Sequence, residues 1–243
     1  MIVIPMAGMS SRFYKAGFTQ PKYMLQAHQK SLFAHSVLSF KRYFDTDSFL
    51  FIVRDIDGTV EFVKAECAAL GVRNYKIITL SAPTAGQAET VYLGLKGSTP
   101  GDEEIIIFNI DTIRKDYIKP AFIYDVDGYL EVFEGEGDNW SFAAEDLERP
   151  GYVTKTTEKD PISRLCSDGL YHFKNFSVYE SAYQKMLHAG ESGKAKGEYY
   201  VAPMYNYIIE NGGAVRFDVV QSEKLIFSGT PDEYYDFLKC IVL

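Results

Sequence analysis

Apolar residues in the first half of the chain fall into short unbroken runs separated by amphipathic stretches. Ile2–Pro5, Phe49–Val53 (FLFIV) and Glu104–Asn109 (EIIIFN) are such runs, the pattern of parallel strands covered on both faces. Tyr75–Leu80 predicts another strand. Between them, Ser31–Tyr43 carries Leu32, Phe33, Val37, Leu38 and Phe40 near helical spacing, with Ser31 placed to cap. Thr59–Leu70 and Ala85–Lys96 predict further helices, the first stopped by Gly71. This alternation predicts a doubly wound α/β sheet with right-handed crossovers, and ligands on such sheets sit beyond the carboxyl ends of the strands.

The second half changes character. Gly128–Phe133, Trp140–Ala144, Val153–Thr157 and Leu170–Phe173 read as short strands between Gly- and charge-rich turns. Phe176–His188 and Glu198–Glu210 read as helices, the latter ended by Asn211-Gly212-Gly213. Ala214–Val220 is a strand and Pro231–Lys239 a last helix entered through Thr230. No linker, repeat or low-complexity segment interrupts the chain, so the change near residues 112–140 reads as a change of role inside one domain.

The charge balance narrows the partners. A net charge of −8 over 243 residues argues against a nucleic-acid backbone as partner, although a few local cations can still serve a small phosphorylated ligand. No apolar run approaches the ~20 residues that span a bilayer. The short N-terminal run lacks a basic segment before it, so a cytoplasmic protein without a signal peptide is expected. Cys67, Cys166 and Cys240 lie far apart, as expected of three reduced thiols, and the four histidines form no metal spacing.

Four stretches carry candidate chemistry. The first strand breaks into the small-residue loop Ala7-Gly8-Met9-Ser10-Ser11, followed by the cations Arg12 and Lys22. Such a loop lets backbone N–H groups approach a phosphate while Arg and Lys supply charge. Thr84, Gly86 and Gln87 sit where a helix follows a strand. There Thr84 can cap, Gly86 can admit a planar ring, and Gln87 can offer a donor and an acceptor to a base. Asp111 follows a buried strand and suits hard Mg²⁺, which takes oxygen ligands. Asp125 and Asp127 read instead as a hairpin turn before Gly128. Glu158-Lys159 is either an exposed charge pair or a cation aimed at a phosphate.

In this order the stretches resemble the nucleotidyltransferases that join an NTP to a sugar phosphate or other phosphorylated small molecule and release pyrophosphate. IPMAGMSSRF is similar to their phosphate loop, PKYML to their PKP segment, and PTAGQAETV to their base-contacting segment. FNIDT is similar to the metal segment, TEKDPIS with SDGLYHF to the acceptor segment, and GTPDEYYDFL to the closing stretch.

The resemblance implies a Rossmann-like, mostly parallel mixed sheet flanked by helices, of the nucleotide-diphospho-sugar transferase type. It implies one domain over residues 1–243, with an NTP half to about 115 and an acceptor half from about 116. It implies the triphosphate on Ala7–Ser11, Arg12 and Lys22 as catalytic cations, and Thr84, Gly86 and Gln87 at the base. It further implies Asp111 on Mg²⁺, and Glu158, Lys159 and Glu198 at the acceptor. Enzymes of capsule and surface-polysaccharide loci are the nearest in pattern, among them cytidylyltransferases acting on phosphoglutamine or phosphocholine.

The chain departs from that pattern at Ser10 and Tyr23, where Gly and Pro are usual, and at Ile226-Phe227-Ser228, where a second metal carboxylate is expected. Glu198 is the candidate replacement. Two other readings are a glycosyltransferase of the same fold and a catalytically inactive nucleotide-binding protein.

Overall fold

The structure, a computed structural model, describes residues 1–240. Its first half runs β1 (Ile2–Pro5), α1 (Ser11–Lys15), β2 (Gln26–Ala27), β3 (Lys30–Ser31), α2 (Leu32–Leu38), β4 (Phe49–Val53), α3 (Thr59–Leu70), β5 (Tyr75–Thr79), α4 (Gln87–Ser98), β6 (Ile105–Phe108) and β7 (Thr112–Arg114). The second half runs β8 (Gly128–Glu134), β9 (Ser141–Glu145), β10 (Val153–Glu158), β11 (Leu165–Phe173), α5 (Phe176–His188), α6 (Met204–Glu210), β12 (Val215–Val219), β13 (Leu225–Phe227) and α7 (Pro231–Lys239).

One sheet passes through both halves. β5, β4, β1 and β6 lie side by side in parallel, and β11 joins β6 antiparallel. β8 pairs with β11, and β12 with β8, while β9 pairs with the first part of β11 and β10 lies outside β9 at the sheet edge. The α/β class with parallel strands in the first half is as the apolar runs predict.

Side chains alternate across a strand, so each buried run feeds two cores. Val3, Leu50, Ile52, Ile105 and Ile107 face α4, α5 and α6. Ile2, Ile4, Phe51, Ile106 and Phe108 face α2 and α3. Every residue of β4 and β6 is buried, each large apolar side chain contributing roughly 1.5–3 kcal/mol. No helix among the described residues is long and apolar enough to cross a membrane.

Several elements differ from the sequence reading. α2 is capped by Ser31, whose Oγ accepts from Ala34 N at 3.0 Å, but it ends at Leu38 instead of Tyr43. Ser39 Oγ is drawn off to accept from Arg114 N, and Phe40 turns inward against Phe108 and Tyr117. The predicted helix from Glu198 begins only at Met204, and the strand around Leu170 starts at Leu165. Asp127 forms no hairpin turn: its carboxylate accepts from Ala214 N at 2.9 Å and joins β8 to the start of β12.

Beneath the carboxyl edge lies a buried charge group. Arg114 Nε and Nη2 donate to the two oxygens of Glu131 at 2.6 and 2.9 Å, tying β7 to β8. Neighbouring Asp168 on β11 is also buried. Burial, reinforced by the charge of Glu131, pushes its carboxyl well above the usual range, so it keeps its proton against Glu131.

Candidate active site

A cleft of about 810 Å³ and an adjoining recess of about 310 Å³ open beyond the ends of β1 and β6, sharing Ser10, Lys22, Gln87, Asn109, Asp111 and Glu198. Gly8, Ser10, Ser11 and Arg12 of the opening loop face this space. Ala7 and Met9 do not: Ala7 is buried, and Met9 is 59% exposed, away from the cleft. Ser10 adopts the left-handed conformation (φ 48°) that a glycine would take more easily, and its Oγ accepts from Lys22 N at 3.2 Å. The serine thus ties the loop to the Pro21-Lys22 segment. Tyr23, standing where the resemblance leads one to expect proline, is buried with its hydroxyl bonded to Thr59 Oγ1 at 2.8 Å.

Lys22 and Asp111 meet across the cleft floor, Nζ to Oδ2 at 2.5 Å. Withdrawal from water works to raise the Asp111 carboxyl, but the Lys22 ammonium, helped by Arg12, outweighs it and holds the group below the usual carboxylate range. Arg12 makes no ion pair among the described residues.

The base-side segment is arranged differently from the expectation. Gln87 lines the cleft and donates to Asn109 Oδ1 at 2.5 Å. Thr84 does not cap α4; its hydroxyl bonds Thr90 Oγ1 and Gly86 O, and it lies outside the cleft. Gly86 is the N-cap residue, at φ +137°, and the side on which a Cβ would sit is filled by the backbone of Tyr199. Its missing side chain therefore admits protein backbone on that side. Tyr199 N donates to Ala85 O at 2.8 Å and Ala88 N to Tyr199 O at 3.0 Å, so the 198–200 stretch is extended against the start of α4. That docking, with Pro203 opening α6, is why the predicted helix at Glu198 does not form.

Glu198 leaves a tight turn closed by paired bonds with Ala195, in which Lys196 and Gly197 both have positive φ. Next to it, burial and then the negative charges of Glu198 and Glu158 push the Tyr200 phenol up to about 12. Lys159 has its Nζ 2.8 Å from Glu158 Oε1 and 5.2 Å from the centre of the Tyr200 ring. Ser141 Oγ donates to Glu158 Oε2. Only 4% of the Glu158 side chain and 20% of the Lys159 side chain are exposed, so this is not the solvated pair that the sequence left open.

The structure brings in residues that the sequence reading did not select. Trp140 and Phe227 pack with tilted rings, centroids 4.8 Å apart, and form an aromatic wall past Lys159. Glu233 lines the cleft from the first turn of α7, held by a capping box with Thr230. The Thr-x-x-Glu spacing was visible in the sequence; nothing local marked Trp140. At Ile226–Ser228, β13 pairs with β7 and lays Ser228 on Asp111, its N and Oγ both donating to Asp111 O at 2.8 and 3.1 Å. A Cβ on the next residue, Gly229, would lie 2.9 Å from Asp111 Oδ2. The space left there, beside an ionised hard oxygen donor, fits a Mg²⁺ ion carrying waters and phosphate oxygens.

The chain aligns end to end with the crystal structure of a nucleoside-diphosphate-sugar pyrophosphorylase from Vibrio cholerae RC9, at 48% identity and TM-score 0.95, covering 99% of this chain and 100% of that one. More distant likenesses show the fold alone. A glucose-1-phosphate thymidylyltransferase assignment from Bacillus anthracis matches at TM-score 0.75 and 18% identity, covering 98% of this chain and 93% of that one. The inositol-1-phosphate CTP transferase of T. maritima matches at 0.74 and 12%, covering 98% and 94%. No protein-family model and no curated protein matches the chain. On the full-length 48% likeness, the chain belongs to the nucleoside-diphosphate-sugar pyrophosphorylase family of nucleotidyltransferases.

Proposed function

We propose that the protein transfers a nucleotidyl group from an NTP to the phosphate of a small acceptor and releases pyrophosphate. The observation that carries this reading is the Lys22–Asp111 pair, set between the Gly8–Arg12 loop and Lys159 in one continuous cleft. An acceptor phosphate oxygen attacks the α-phosphorus, the Pα–O bond to the β-phosphate breaks, and pyrophosphate leaves with that electron pair. The attacking oxygen is already anionic, so no general base is required. The task is to bring two polyanions together and neutralise charge.

In this reading the loop amides and Arg12 hold the triphosphate, Lys22 meets the charge growing on the reacting phosphates, and Lys159 seats the acceptor phosphate. Gln87, oriented by Asn109, faces the base. Asp111 would hold Mg²⁺, which supplies further neutralisation of phosphate charge when bound. A single domain acts throughout, a reading supported by the sheet common to both halves.

The acceptor is a phosphorylated small molecule or a sugar 1-phosphate. The wall of Trp140, Phe227 and Tyr200 beside Glu136, Glu158 and Glu198 suits an acceptor with an ammonium group, such as phosphocholine or phosphoglutamine. With CTP as donor, such a product would feed surface-polysaccharide synthesis. Lys22→Ala is expected to lower kcat/KM by about 10²-fold or more in a pyrophosphate-release assay, with the native circular dichroism retained. Near-normal release would overturn the assignment. A thermal-shift panel of CTP, UTP, GTP, ATP and dTTP selects the base, and pyrophosphate release separates this reaction from glycosyl transfer.

A further inference from the structure

We propose that Glu233 supplies the second carboxylate of the cation site built on Asp111, in place of the acid missing from Ile226–Ser228. This rests on the nucleotidyl-transfer reading above.

The Ile226–Ser228 stretch is committed elsewhere. Phe227 packs against Trp140 at 4.8 Å and Phe133 at 5.4 Å. Ser228 spends both its amide and its hydroxyl on the main-chain oxygen of Asp111. The register that pairs Phe227 with Thr112 then fixes where the following Gly229-Thr230 turn lies. That turn launches α7, whose capping box folds the Glu233 carboxylate back toward the cleft, Oε2 accepting from Thr230 N at 2.9 Å. Glu233 Oε1 has no hydrogen-bond partner among the described residues. Gly229 separates the two acids. A Cβ there would stand 2.9 Å from Asp111 Oδ2 and 3.4 Å from Glu233 Oε2, so both oxygens lie within 3.4 Å of one point kept open by the glycine. Mg²⁺ is typically held by one or two carboxylates together with phosphates and waters, and Asp111 and Glu233 are the two carboxylates that flank this point. Lys22, which donates to the same Asp111 oxygen, would turn to a phosphate oxygen when the cation binds. Glu198, the candidate from sequence, lines the same cleft, but it is not among the atoms nearest the open point at Gly229.

Glu233 also has a structural duty, and Glu233→Gln separates the two roles. A glutamine oxygen still accepts from Thr230 N, so the cap persists while the charge is lost. Mn²⁺ is the probe, with free ion counted by its electron paramagnetic resonance signal during titration of the full-length protein. Wild type is expected to bind Mn²⁺ and Asp111→Asn to lose it. Glu233→Gln is expected to raise the Kd about tenfold or more without moving Tm, Glu233→Asp to recover part of the affinity, and Glu198→Gln to leave it unchanged. A Kd in Glu233→Gln equal to wild type, a tenfold loss in Glu198→Gln instead, or no Mn²⁺ binding by wild type would each overturn the proposal. Glu233-dependent Mn²⁺ binding in a protein that releases no pyrophosphate with any acceptor would leave this site standing and remove the functional reading alone.

Discussion

Gly86→Ala tests how the two halves of the cleft are joined. Gly86 sits at φ +137°, ψ 177°, and a Cβ would collide with the backbone O and N of Tyr199. Alanine must either strain the turn or push Tyr199 away. A non-glycine residue in that region costs on the order of 1–3 kcal/mol. Displacing Tyr199 also breaks its bonds to Ala85 and Ala88, each worth about 1 kcal/mol. The sum is ~3–5 kcal/mol, less than the stability of most domains of this size. The fold should persist with Tm lowered by about 6–20 °C. Tyr199 stands between Glu198 and Tyr200, so the loss should appear in function as a raised acceptor KM, with NTP affinity less affected. Thermal melts and pyrophosphate release at varied acceptor concentration measure both. Gly101→Ala, where a Cβ meets nothing within 4 Å, is the control. A Gly86→Ala protein with wild-type Tm and acceptor KM would refute the claim that this backbone contact organises the acceptor side.

Two further predictions concern buried titrating groups. His172 is fully buried, stacked on Tyr129, and burial, aided by the nearby Lys119 and N-terminal charges, lowers its pKa to about 3. The unfolded chain takes up a proton below about pH 6.5 while the native state does not. Stability is therefore full above that pH and falls by ~1.4 kcal/mol per unit as pH drops toward the native value. His172→Phe keeps the stack and should flatten this acid limb in urea midpoints measured from pH 7 to pH 4; parallel limbs would contradict the argument. For Asp168 the sign is opposite: its raised carboxyl keeps a proton that the unfolded chain releases above about pH 4, so its contribution declines as pH rises. Asp168→Asn keeps a donor toward Glu131 and an acceptor for Leu170 N. It should equal or exceed wild-type stability at pH 8, and a clear loss there would show that the ionised form is the native one.

What the sequence determined by itself was local. Continuous apolar runs marked β1, β4 and β6 because a parallel strand buried on both faces leaves no polar position. The caps at Ser31 and Thr230 were legible because each is made within a few residues. The loop, Lys22, Asp111 and Glu158-Lys159 stood out as charged groups at the ends of such runs. The tertiary structure alone decided which of them meet: Lys22 and Asp111 pair across 89 residues of sequence. It also decided that the Cβ side of Gly86 is filled by the backbone of Tyr199 and that the Thr84 hydroxyl bonds Thr90 and Gly86. Phe40 and the 198–200 stretch left their helical pattern when core packing and that docking outweighed propensity. Glu233 was not singled out in the sequence; the pairing of β13 with β7 set Gly229, and with it Glu233, beside Asp111. Periodicity and capping act over a turn or two of chain, whereas register and the convergence of loops at a sheet edge depend on residues far apart in sequence.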